Sequence, residues 1–148
     1  MVYVKAFLAG FLSTLVFHQG VLAILHAAGA TPRKPYVMDP TPPLQVPAVV
    51  SLAFWGGVWG ILLWLVIARY QGSSNYWLLA LVIGAVAPSL VALFVVAPLK
   101  GQPIAGGGRP AIWIGALLLN GAWGVGVALL MALFHPERSV AAGAIGGQ

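Results

Sequence analysis

The chain has no cysteine and only two carboxylates, Asp39 and Glu137, in 148 residues. The first absence excludes disulfides, thiolate nucleophiles and cysteine-ligated metals. The second leaves no pair of acids for general acid–base work, because Asp39 falls in the proline-rich loop and Glu137 after the fourth apolar run, on opposite sides of the membrane. No HExxH or GxSxG spacing occurs, and Ser89 as a nucleophile would need a base that only His18 supplies. The expectation is therefore a protein that is not an enzyme, with no catalytic residues and no metal site. Positive charge is sparse too: Lys5, Arg33, Lys34, Arg69, Lys100, Arg109 and Arg138 are dispersed without a basic run. Such a set makes a poor phosphate groove, so nucleic acid is excluded as a partner and anionic lipid headgroups account for the net charge of +5.

What the chain does have is apolar length. Hydrophobic residues make up 61% and charged residues 6%, far from the composition of a water-soluble domain. Four windows of about 20 apolar residues match a hydrocarbon core of roughly 30 Å. They run over 6–28, 47–68, 76–97 and 111–134. With no alternating strand pattern, the spans are expected to be helices. The expected fold is an all-α integral membrane protein, one membrane domain over 1–148, with four transmembrane helices in an antiparallel bundle. Lys5 followed by an apolar stretch ending in "AAGA" (27–30) has the look of a secretory signal. The run is too long for a signal core and His18-Gln19 interrupts it, so an uncleaved first span is expected.

The connections differ in character. The first, 29–46, is rich in proline, and the stretch from Gly29 to Pro47 holds six, which predicts an ordered cap without helix. The second, "RYQGSSN", predicts a tight hairpin between helices. The third, 98–110, contains Gly106-Gly107-Gly108 and predicts a flexible linker; the strand and Lys-Ser/Thr of a phosphate loop are missing. Residues 139–148 read as a flexible tail. Tyr3, Tyr70, Tyr76 and Trp77 at one boundary, and Tyr36 and Trp113 at the other, predict interfacial aromatic belts. Four loop cations face three, so orientation is open: topology is set either by partner subunits or by dual insertion with antiparallel dimers.

Within the spans the polar residues share one depth. At about 1.5 Å per residue, His18, Gln19, Ser89 and Asn120 all fall roughly 14–15 Å from the face bearing the proline-rich loop, with Trp59 and Trp123 nearby. Small or polar residues recur at helical spacing: Gly10, Thr14 and His18; Gly56 and Gly60; Ala80, Gly84 and Pro88; Ala116, Asn120 and Gly124, with Gly121 beside the last pair. Pro88 frees the carbonyl of Gly84 for a donor from Trp59, Trp123 or Asn120. "GVWG" at 57–60 recurs as "GAWG" at 121–124, which suggests two hairpins related by an internal repeat. A shared packing solution would produce the same motif, and the first and third spans show no matching residues.

The polar cluster has two readings. In one it is packing, inside a non-catalytic structural or accessory subunit of a larger bacterial inner-membrane complex or homo-oligomer, with both termini on the same side. In the other it is the midplane site of a small channel or transporter around His18 and Asn120, since an ionisable group in the membrane marks a functional candidate. No cofactor is expected. His135 sits at the opposite face from His18 and His26, so no two histidines clasp a haem. A single axial ligand, His18 or His26, to a haem or chlorophyll-type pigment is the residual option.

Overall fold

The computed structural model describes residues 1–135; Glu137, Arg138 and the tail at 139–148 lie outside them. Four helices are long and apolar enough to cross a membrane: α1 (Val2–Ala27), α2 (Ala48–Tyr70), α3 (Ser74–Leu99) and α4 (Pro110–Phe134). At 23 to 26 residues they reach about 35–39 Å, so their ends extend past a hydrocarbon core of roughly 30 Å into the headgroup zone. Local chemistry sets the ends. Pro110 occupies the first turn of α4, where its missing N–H costs nothing. Gly29 (φ 71°) ends α1 in a left-handed cap, its amide on the His26 carbonyl and that of Ala30 on Leu25. Gly101 (φ 69°) ends α3 in the same way, with Gln102 bonded to Ala97.

The proline-rich connection carries a two-residue antiparallel ladder, β1 (Pro40–Thr41) with β2 (Val46–Pro47), paired Pro40 to Pro47 and Thr41 to Val46. It hangs from the start of α2, where the Ala48 and Val49 amides bond the Asp39 and Val37 carbonyls. The glycine-rich connection is a built turn. Ala105, Gly106 and Gly107 take left-handed φ values of 53°, 64° and 64°, and the Trp113 indole donates to the Ala105 carbonyl at 2.9 Å. Composition suggested a free linker there because glycine content shows backbone freedom and not what the backbone docks against. Gly106 lies so close to α4 that a Cβ on it would stand 2.7 Å from Ile112.

Helix packing follows the small residues. α1 lies on α2 where a Cβ on Gly60 would come 2.6 Å from the Ala6 carbonyl and 2.9 Å from the Gly10 Cα. α3 lies on α4 with similar closeness, a Cβ on Gly84 falling 2.7 Å from the Gly124 Cα. α1 also packs on α4, through Ser13 and Phe17 against Gly126, whereas α2 touches α3 far less. Small residues let backbones approach in lipid, where dispersion and not the hydrophobic effect drives association. The apolar core, with Leu63, Ile67, Ala80, Val127 and Met131, gathers at the end of the bundle that holds Lys5 and His135. There the Lys5 ammonium donates to the Phe134 carbonyl at 2.5 Å, capping the last turn of α4.

Candidate functional site

The π-helical turn Thr14–His18 in α1 determines where the polar residues of that helix point. The Gln19 amide reaches back five residues to the Thr14 carbonyl, passing over Leu15. Tyr36, in the proline-rich connection, supplies the donor: its hydroxyl bonds the Leu15 carbonyl at 2.9 Å. Its backbone N–H donates to the Gln19 Oε1 at 2.7 Å, and Gln19 Nε2 lies 3.3 Å from His18 Nδ1. Tyr36 takes a left-handed φ of 51° to do so. The connection is thus strapped to α1 at its π turn. Such turns open the helix ladder and recur at functional positions.

The inserted residue also breaks the stripe that Gly10, Thr14 and His18 form in an uninterrupted helix. Thr14 stays on the face toward α2, its hydroxyl bonded back to the Gly10 carbonyl at 3.0 Å and its Oγ1 against Gly56. His18 and Gln19, both buried, turn toward the strap. His26 sits nearer the helix end, Nδ1 3.1 Å from the Thr31 carbonyl.

Asn120 and Ser89 do meet. The Asn120 amide donates to the Ser89 Oγ at 2.9 Å, which ties α4 to α3 where Ser89 is fully buried. Trp123 goes elsewhere: its indole Nε1 donates to the Gly10 carbonyl at 3.1 Å, while Ser13 Oγ donates to the Trp123 carbonyl at 2.6 Å. α1 and α4 therefore exchange two bonds around one residue. The Gly84 carbonyl receives none of the three donors that the sequence offered it. Trp59 stands across from it, on the wall of a cleft between α2 and α3 that Gly84, Pro88 and Trp123 also line.

Equal depth along the chain therefore brings these residues into three local arrangements. Among the described residues no hydrogen bond joins His18 or Gln19 to Asn120, Ser89 or Trp123. Of the packing positions, Gly10, Thr14, Gly56 and Gly60 lie at the α1–α2 contact, and Gly84 and Gly124 at the α3–α4 contact. Gly121 faces Leu81 and Ala85, and Pro88 opens onto the cleft.

Sequence reasoning missed three contributors. Ser13 carried no signal beyond being polar in an apolar run. Tyr76 is buried at the start of α3 instead of lying in an aromatic belt, and its hydroxyl donates to the Ala128 carbonyl at 2.8 Å. Tyr36 is a strap anchor, which a positive φ and a π turn produce and no periodicity reveals.

Gln19→Ala tests the strap. Loss of the acceptor is expected to speed hydrogen exchange at the Tyr36 amide about tenfold, the effect of losing a hydrogen bond of roughly 1.4 kcal/mol. Exchange in α3 should stay unchanged, and an unchanged Tyr36 amide would show that Gln19 does not hold the strap.

Comparison of the chain with protein-family models, with curated proteins and with solved structures gave no match in any of the three.

Proposed function

We propose that this protein is a non-catalytic scaffold of the membrane, a structural or accessory subunit of a larger complex of the bacterial inner membrane. One observation carries the reading: the polar side chains inside the spans are engaged in local locks between helices or between helix and strap. Asn120 ties α4 to α3, Trp123 and Ser13 tie α4 to α1, and Gln19 holds the strap. A conduction path would need such groups turned toward a continuous wet lumen.

The same reading makes the chain an antiparallel bundle of two hairpins, α1–α2 and α3–α4, related by a pseudo-two-fold axis along the membrane normal. Ala6 and Gly10 against Gly60 repeat as Ala80 and Gly84 against Gly124. In each hairpin an AxxxG pair meets the last glycine of a GxWG motif. The bond from Lys5 to Phe134 supports placing both termini on one side. No resident cofactor is part of the proposal.

Purification of the full chain from its native membrane in mild detergent tests the function. The expected result is a stable complex with one or more other membrane subunits in fixed stoichiometry. A lone monomer or dimer, combined with ion flux in liposomes that Asn120→Ala abolishes, would replace the scaffold with a channel.

A further inference from the structure

The strap leaves one donor of a buried side chain unanswered. Because the Tyr36 amide donates to the Gln19 Oε1, the Gln19 Nε2 is the group that faces His18, and it donates to Nδ1. Nδ1 is then the acceptor of the ring, and the ring proton falls on Nε2. Among the described residues His18 makes no other hydrogen bond. The side chain is 8% exposed, yet no enclosed side-chain nitrogen or oxygen among those residues lacks a partner. Nε2 therefore opens to the surface as a free N–H donor.

The strap also fixes the height of this donor. The Val49 amide bonds the Val37 carbonyl, and the neighbouring Tyr36 sits on Gln19, so Gln19 stands level with the first turn of α2. At 23 residues, about 35 Å, α2 only just exceeds the hydrocarbon core, which puts its first turn at the headgroup boundary. α1 from Gly20 to Ala27 rises about 12 Å past that level. Along this stretch the strap is pinned twice, at His26 through the Thr31 carbonyl and at Gln19 through Tyr36. Arg33 lies between the two pins, exposed, and its guanidinium has no acceptor among the described residues. Its charge is close enough to act on the His18 ring. Asp39, the one carboxylate among those residues, makes no ion pair with it.

A free cation beside a free N–H donor calls for an oxyanion. At the headgroup boundary the oxyanion that the membrane itself supplies is a lipid phosphate. We propose that His18 and Arg33 form a binding site for the phosphate group of an anionic phospholipid, whose oxygens accept from the His18 Nε2–H and the Arg33 guanidinium. The acyl chains then run down the lipid-facing surface of the bundle. The site is independent of the scaffold role.

The test titrates the full chain, in uncharged detergent micelles, with dioctanoyl phosphatidylglycerol, dioctanoyl phosphatidylcholine and inorganic phosphate, while nitrogen-labelled histidine reports on each ring by NMR. Saturable binding of phosphatidylglycerol is expected, with a shift of the His18 Nε2 signal and none at His135, at the other end of the bundle. Phosphatidylcholine should bind more weakly, because its choline cancels the charge that Arg33 meets. Arg33→Gln and His18→Phe should each weaken phosphatidylglycerol binding about tenfold. Lys100→Gln removes an equal charge from the end of α3 and should change it by less than about twofold. Arg33 is exposed, so its replacement leaves the fold intact and decides the matter should His18→Phe fail to fold. An unmoved His18 signal, or equal losses for Arg33→Gln and Lys100→Gln, would overturn the proposal. Displacement of the lipid by inorganic phosphate at equal concentration would overturn the lipid as the source and make the ligand a free anion. None of these results bears on whether partner subunits co-purify.

Discussion

Gly124→Val is expected to unfold the α3–α4 hairpin at a denaturant concentration or temperature where the unaltered protein is intact. The reason is what the new side chain meets. A Cβ at 124 would stand 2.8 Å from the Gly84 Cα and nearer still to the Ala80 carbonyl. Both are backbone atoms of a neighbouring helix, so no rotamer change relieves the clash. The helices must move apart, and with them go the Asn120–Ser89 and Tyr76–Ala128 bonds that cross the same interface. Overpacking costs about 1–3 kcal/mol where side chains can yield, and the loss here should lie at or above about 3 kcal/mol. Gly20→Ala and Gly115→Ala are the controls, since a Cβ at either position meets nothing within 4 Å. Alanine also has the higher helix propensity, so these should leave stability unchanged or slightly raised. Unfolding of the purified protein in mixed micelles, followed by circular dichroism, separates the cases. Equal losses for Gly124→Val and Gly20→Ala would mean that the glycines do not set the helix approach.

The contrast between those glycines explains what the sequence made legible. Four membrane-length helices follow from apolar run length alone, because a spanning segment in lipid has almost no other way to satisfy its amides. That Gly10, Gly60, Gly84 and Gly124 lie at close helix contacts follows from small residues at four-residue spacing, since only such residues permit backbone approach. The partner of each stripe does not follow. Gly20 and Gly115 are also small and also within spans, yet they face open space. Periodicity gives a face and leaves its neighbour undetermined.

The polar residues show a second limit. Depth along a helix is a one-dimensional coordinate, and it placed His18, Gln19, Ser89, Asn120 and Trp123 together. Rotation about the helix axis is the missing coordinate, and the π turn at Thr14–His18 changes it by inserting one residue. Thr14 and His18 would share a face in a regular helix. Here Thr14 bonds back within α1 beside Gly56, while His18 lies with Gln19 under Tyr36. The Asn120–Ser89 pair survived the same reasoning because neither residue lies within a π turn: Ser89 precedes the one at Ala92–Val96 and α4 has none.

Trp123→Ala should produce the largest loss of any truncation in the bundle. Trp123 is 3% exposed, belongs to the apolar core, and is the residue around which α1 and α4 exchange their two bonds. Removing a buried indole costs about 3–5 kcal/mol, because the surrounding helices relax only part of the way into the space. In lipid the lost term is dispersion with the neighbouring helices, and the cleft that Trp123 already lines would extend inward. Trp123→Phe divides the effect. It keeps a six-membered ring but removes three ring atoms together with the Nε1–H that reaches the Gly10 carbonyl, which Thr14 still serves, so a loss of about 1–3 kcal/mol, short of that for Trp123→Ala, is expected. The informative comparison is Trp59→Ala, the tryptophan of the "GVWG" motif in α2. Trp59 is only partly buried and stands on the wall of an open cleft, so its truncation enlarges a cavity that exists already. Its expected loss is about half that of Trp123→Ala. Equal losses in the same unfolding assay would show that the burial of Trp123 gives it no greater part in holding the bundle. A larger loss for Trp123→Ala would identify the α1–α4 contact as the more tightly packed joint of the bundle.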